Sequence, residues 1–164
     1  MVNQKVLSTQ LRRLGCKVFV AGHGVEALDF LKTTPLWHGG TKNTDDTVDI
    51  AGDALQSPKP NVDVILMDIE MPVMGGLACT RAIRDLECQG LIRRSQSQHR
   101  GIHEGHDRLP IISISANARI EQSNEQKEAG VDDIVTKPFR IPQLMDKMWR
   151  LIGHPGDRAG NTQS

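Results

Sequence analysis

Tyrosine is absent from this chain of 164 residues, and aromatic residues together make up only 3% of it. Stacking on bases needs aromatic platforms, so nucleic acid is not expected as a ligand. An excess charge of one sign is lacking too. Lys and Arg number 20 and so do Asp and Glu, which leaves no overall field to draw the chain to nucleic acid or a membrane surface. No run reaches the roughly 18 apolar residues of a membrane span, and no charged-then-apolar leader opens the chain. Cysteine is scarce: Cys16, Cys79 and Cys88 form an odd set at spacings that make no disulfide framework. These absences together lead to the expectation of a cytoplasmic protein in a reducing compartment. With 38% hydrophobic residues, the length suits about one domain with one modest core.

What is present is a regular alternation of patterns. Residues 2–14 place Val2, Val6, Leu7, Leu11 and Leu14 on one helical face, and Gly15 follows as a stop. Residues 17–21, KVFVA, read as a short strand, 22–24 as a turn, and 25–32 as a helix through Val25, Leu28 and Leu31. Periodicity then fails over 33–60, a stretch of Thr, Gly, Asp, Ser and Pro that reads as a surface insertion. VDVILMD (62–68) is a continuous apolar run of buried-strand type. A helix over 77–87 follows, with Leu77, Ala82, Ile83 and Leu86 inward. A second polar insertion covers 88–108, and LPIISIS (109–115) is another strand. A polar helix (120–130), a short strand (132–139) and an amphipathic helix (141–152), with Leu144, Met148, Leu151 and Ile152 inside, complete the order. The tail 153–164 has the composition of a disordered end. Short apolar strands alternating with helices predict an α/β domain with a parallel sheet covered on both faces.

In such sheets ligand chemistry collects beyond the carboxyl ends of the strands. Three strand ends here carry polar groups: Asp68, Ser115 and Lys137. A strand-end carboxylate is a nucleophile toward phosphorus, a cation beside it neutralises the incoming charge, and a hydroxyl donates to a phosphoryl oxygen. A divalent metal would bridge the carboxylate and the phosphoryl group. Each of these residues alone has a duller reading: a turn cap for Asp68, a satisfied backbone for Ser115, a solvated ammonium for Lys137. Their register at three successive strand ends is what favours chemistry. The Asp132-Asp133 pair reads as a solvated turn. His99, His103 and His106 have imaginable metal spacing but lie in the polar insertion with no supporting shell. The GHG turn (22–24) is too short for a phosphate loop, and Trp37 and Trp149 read as packing residues.

The stretches VNQKVLSTQLRRLGCKVFVAGHGVEAL, VDVILMDIEMPVMGG, PIISISANA and AGVDDIVTKPF, in that order, resemble a response-regulator receiver domain, most of all the C-terminal receiver of fungal hybrid histidine kinases. With the helices between them they cover about three quarters of the chain. The resemblance implies a flavodoxin-like doubly wound sheet. It implies that Asp68 accepts a phosphoryl group from phosphohistidine, that Ser115 senses it and that Lys137 pairs with it. Magnesium would be held by Asp68 and the backbone carbonyl of Glu70, and Lys137-Pro138 would be a cis peptide. Implied partners are a histidine kinase or a histidine phosphotransfer protein, and the role is signalling in a two-component phosphorelay, not enzymatic turnover.

The sequence also departs from that family, which opens with an aliphatic strand and an acidic pair. Here VNQK follows Met1 directly, so the first strand, central in the family's order 2-1-3-4-5, is expected to be missing, along with two metal ligands. Fully buried aliphatic side chains contribute roughly 1.5–3 kcal/mol each, and a whole domain is stable by only about 5–15 kcal/mol. The expectation is a truncated receiver over 1–152, impaired in metal binding and phosphoryl transfer. Its alternative is a degenerate receiver that binds partners independently of phosphorylation. Ile134 stands where many receivers carry an aromatic switch. A haloacid-dehalogenase-like phosphatase is the more distant rival, because Glu70 stands where its second aspartate would be and the chain is short for a cap domain.

Overall fold

The computed structural model describes residues 2–39, 59–94, 108–116 and 120–153. The interiors of both insertions, the three histidines His99, His103 and His106, and the tail beyond 153 lie outside the described residues. The elements run α1 (Val2–Arg13), α2 (Gly24–Lys32), β1 (Ile65–Asp68), α3 (Gly76–Cys88), β2 (Ile111–Ser115), α4 (Ile120–Glu128), β3 (Asp133–Thr136) and α5 (Ile141–Ile152). Each described helix falls on the segment read as a helix, α4 from its polar composition and the others from apolar spacing. The strands are shorter than the apolar runs that announced them.

The sheet is parallel, with order β1-β2-β3. Successive side chains of a strand point to opposite faces, and here each face finds its own cover. Met67 and Ile111 join Leu31 of α2, Cys79 and Ile83 of α3, Leu36 and Leu109 in one core. Ile112 and Val135 join Leu11 of α1 with Leu144 and Met148 of α5 in the other. On the first face α4 is tied in by a polar contact: the buried Ser113 hydroxyl donates to Gln126 Oε1 at 2.5 Å. Helices on both faces of a parallel sheet make a doubly wound, flavodoxin-like α/β fold.

Residues 17–21 form no strand. The physical reason is pairing: a strand needs a ladder partner, and in the receiver order the second strand pairs only with the first. Among the described residues β1 is hydrogen-bonded on one edge only, to β2. Val18 still packs into the α1/α5 core and its carbonyl accepts from Arg12 Nη2 at 3.0 Å, but Phe19 and Val20 remain about half exposed. The same lack of cover shows on α1. Val6 and Leu14, expected inward, are exposed, and the buried stripe is Ser8 and Leu11 with Leu7 beside them. On α3 the stripe is likewise shifted, to Gly76, Cys79, Thr80 and Ile83.

The two insertions begin side by side. Trp37 and Ile92 form an antiparallel bridge, flanked by His38 N to Leu91 O at 2.8 Å and Arg93 N to Leu36 O at 2.9 Å. Trp37 also packs on the core, in line with its reading as a packing residue.

Candidate functional site

The carboxyl ends of β1, β2 and β3 bring the three expected residues to one rim. Asp68 is the last residue of β1 and pairs in register with Ile114, one short of Ser115. Ser115 ends β2 and pairs with Thr136, and Lys137 follows at once. The backbone fixes that approach: Lys137 N donates to Ser115 O at 2.8 Å. The Lys137-Pro138 peptide is cis. Lys137 Nζ lies 3.1 Å from Asp68 Oδ2, the two side chains being 28% and 24% exposed. That exposure leaves the pair in reach of a ligand. Ser115 is buried, at 4% exposure, so its hydroxyl lies under the rim.

The other carboxylate oxygen, Asp68 Oδ1, accepts from Glu70 N at 3.1 Å. Glu70 itself is exposed, and the contact it makes with Asp68 is through its backbone. The loop then closes: Gly76 N donates to Ile69 O at 3.1 Å. Gly76 must lack a side chain, because a Cβ there would collide with the carbonyl oxygen of Asp68. Gly24, at the start of α2, is pressed in the same way on Met74 and Cys79; its N–H donates to Met74 O at 3.1 Å. The GHG turn thus serves packing. His23 caps α2, its Nδ1 accepting from Glu26 N at 3.3 Å, while Glu26 Oε2 accepts from Gly22 N at 2.6 Å. Histidine takes the usual Ser/Thr place of a cap, and Glu26 reaches back to the residue before it.

The donor set at the rim is thin for magnesium, which takes six oxygens in near-ideal octahedral geometry. Among the described residues it offers one carboxylate, already paired with an ammonium. No group of three or more His, Cys, Asp or Glu side chains converges among the described residues. The residues present do not fit a firmly held resident ion.

At the opposite end of the sheet lies a cluster that sequence reading missed. Arg84 donates to Gly130 O (2.9 Å), Leu109 O (2.9 Å), Glu87 Oε2 (2.7 Å) and Asp132 Oδ2 (2.8 Å). Asp132 also accepts from Ile111 N at 2.7 Å and from Arg108, and Glu87 accepts from Leu109 N at 2.5 Å. The Asp132-Asp133 pair is therefore no solvated turn: Asp132 is enclosed by two arginines, and Asp133 meets Lys147 at 2.5 Å. Alternating i, i+3 charges at Arg84 and Glu87 are the only local signal; the partners are 22 to 48 residues away.

A carboxylate, an ammonium and a hydroxyl thus stand at successive strand ends of a doubly wound parallel sheet, the fold of receiver domains. No protein-family model matches the chain. It is 33% identical over 146 residues to hybrid signal transduction histidine kinase I of Dictyostelium discoideum, covering 88% of this chain and 6% of that protein. Its structure resembles the receiver domain of a sensor histidine kinase from Pseudomonas aeruginosa, which has a magnesium ion coordinated in its active-site cleft (TM-score 0.58, 27% identity, 93% of this chain and 90% of that one). It also resembles the complex of the Saccharomyces cerevisiae histidine phosphotransfer protein Ypd1 with the receiver domain of the response regulator Ssk1 (TM-score 0.63, 22% identity, 92% and 81%). The homologues of this chain are the receiver domains of hybrid histidine kinases, and its structural neighbours are response-regulator receiver domains. Such domains are signalling modules, not kinases. No described helix is long and apolar enough to cross a membrane.

Proposed function

We propose that this chain is the phosphoacceptor module of a two-component phosphorelay, with Asp68 as acceptor and a histidine kinase or histidine phosphotransfer protein as donor. The observation that carries this reading is the 3.1 Å contact of Asp68 with Lys137 on a half-open rim, with Ser115 at the neighbouring strand end. An Asp68 carboxylate oxygen attacks the phosphorus of a phosphohistidine. A P–O bond forms, the P–N bond breaks, and the imidazole leaves with the bonding pair and takes up a proton. Lys137 balances the charge that builds on the phosphoryl oxygens, and the Ser115 hydroxyl turns to donate to one of them. The receiver spans 1–152 with polar insertions at 33–60 and 88–108 and a tail at 153–164, and it works on the cytoplasmic side.

The thin donor set makes the transfer slow in this chain. Magnesium, when bound, would supply further charge neutralisation at the phosphoryl group; with Asp68 and one carbonyl its hold is weak. The test is phosphotransfer from a phosphohistidine donor with magnesium. The expected result is slow labelling that Asp68→Asn abolishes. Labelling as fast as that of receivers with the acidic pair would refute the impairment, and labelling that survives Asp68→Asn would refute the acceptor. The second reading, a phosphorylation-independent interaction module, is favoured by the same thin donor set among the described residues. It predicts partner binding indifferent to Asp68→Ala and to magnesium.

A further inference from the structure

Val73 is 84% exposed and has φ 65°. Exposed apolar side chains scattered singly are ordinary, but a β-branched residue at positive φ is an outlier. The reason for the strain is local: Met74 N donates to Pro72 O at 2.7 Å, closing a three-residue turn around Val73 of the rare, strained hand. Glycine or asparagine would sit there at little cost. The turn is clamped from two sides. Gly24 N holds Met74 O at 3.1 Å, and Gly76 N holds Ile69 O at 3.1 Å. The clamp from α2 also sets Val25, itself 40% exposed, next to the residue that holds the turn. A strained backbone therefore presents an aliphatic side chain to solvent at the tip of the loop that starts at Asp68.

Building on the phosphoacceptor reading, we infer that Val73 is the apolar anchor on which a phosphohistidine-bearing protein docks to reach Asp68. A donor that brings a phosphohistidine to a half-open carboxylate must cover this rim, and Val73 is the most exposed large apolar side chain among the described residues. Strain persists at functional sites when the surroundings over-determine it, and an aliphatic group held outward adds contact area on docking with little rotamer entropy to lose. Docking of a domain of this kind on a receiver is what the yeast phosphotransfer complex displays.

The experiment titrates the full chain and three variants with the unphosphorylated yeast phosphotransfer protein by calorimetry, and measures urea unfolding of each. Val73→Gly and Val73→Asn relieve the backbone, so both raise the urea midpoint, and both weaken binding by about tenfold, as loss of a central apolar contact does. Val73→Ile keeps the strain and the affinity. Affinity of Val73→Asn within about twofold of the unaltered chain, or no binding by the unaltered chain at all, overturns the inference. The phosphorylated donor separates it from the reading it rests on. Binding lost in Val73→Asn without labelling of Asp68 sinks only the acceptor role, whereas labelling of Asp68 with unchanged affinities sinks only the anchor.

Discussion

The two ends of the sheet carry the same kinds of charge and use them oppositely. At the amino end, Arg84, Glu87 and Asp132 are each only 10–12% exposed, and Arg84 alone makes four hydrogen bonds across three segments. At the carboxyl end, Asp68 and Lys137 meet in a single contact with a quarter of each side chain open to solvent. A buried carboxylate with both oxygens engaged has little capacity left for a ligand and serves to hold elements together. A half-exposed pair contributes little to stability, and its carboxylate oxygens, with one donor each, still face solvent. The difference teaches that coordination number and exposure, not residue type, separate the structural cluster from the reactive one.

That contrast is sharpest at Arg84. Arg84→Met leaves Asp132 and Glu87 enclosed with fewer partners, and loss of one member of a buried ion pair costs about 3–5 kcal/mol. Urea unfolding is expected to show a loss of that size, or no cooperative transition at all; a loss near zero would erase the distinction between the two ends. Between the ends sits Cys79, fully buried on α3, where burial pushes its thiol up from 9.0 to about 11. Its folded value lies above its unfolded one, so it favours folding fully below pH 9 and loses that contribution as pH rises toward 11. The expected loss is about 2–3 kcal/mol at 1.36 kcal/mol per unit, read as the difference between the unaltered chain and Cys79→Ala in urea unfolding from pH 8 to 11. Parallel curves for the two proteins would contradict it. The smallest effect is at the rim: Asp68→Asn changes stability by no more than about 1 kcal/mol, although it removes the proposed acceptor. A loss like that of Arg84→Met would mean that Asp68 is structural as well.

Much of this was legible beforehand because it rests on local pattern. Helical spacing located α1, α2, α3 and α5, and the apolar runs at 62–68 and 109–115 located β1 and β2. The polar residue ending each strand run marked the rim, since a charge is costly to leave inside a strand. The failures have one physical source, the need for partners. KVFVA has strand composition but joins no ladder, and Val6 and Leu14 stay uncovered. Asp132 looked solvated because its neighbours in sequence are polar, yet Arg84 reaches it from 48 residues away. The φ of Val73 has no signature in Pro-Val-Met; the clamps from Gly24 and Gly76 impose it.

The places of the described helices, of β1, β2 and β3, and of the three residues of the rim were thus set by the sequence itself, through local pattern that needs no knowledge of neighbours. Which apolar segment becomes a strand, which carboxylate is saturated and which is left open, and which backbone is strained were decided only by tertiary structure. Each of those depends on contacts between segments far apart in the chain, and hydrogen-bond pairing and burial do not exist until those segments meet.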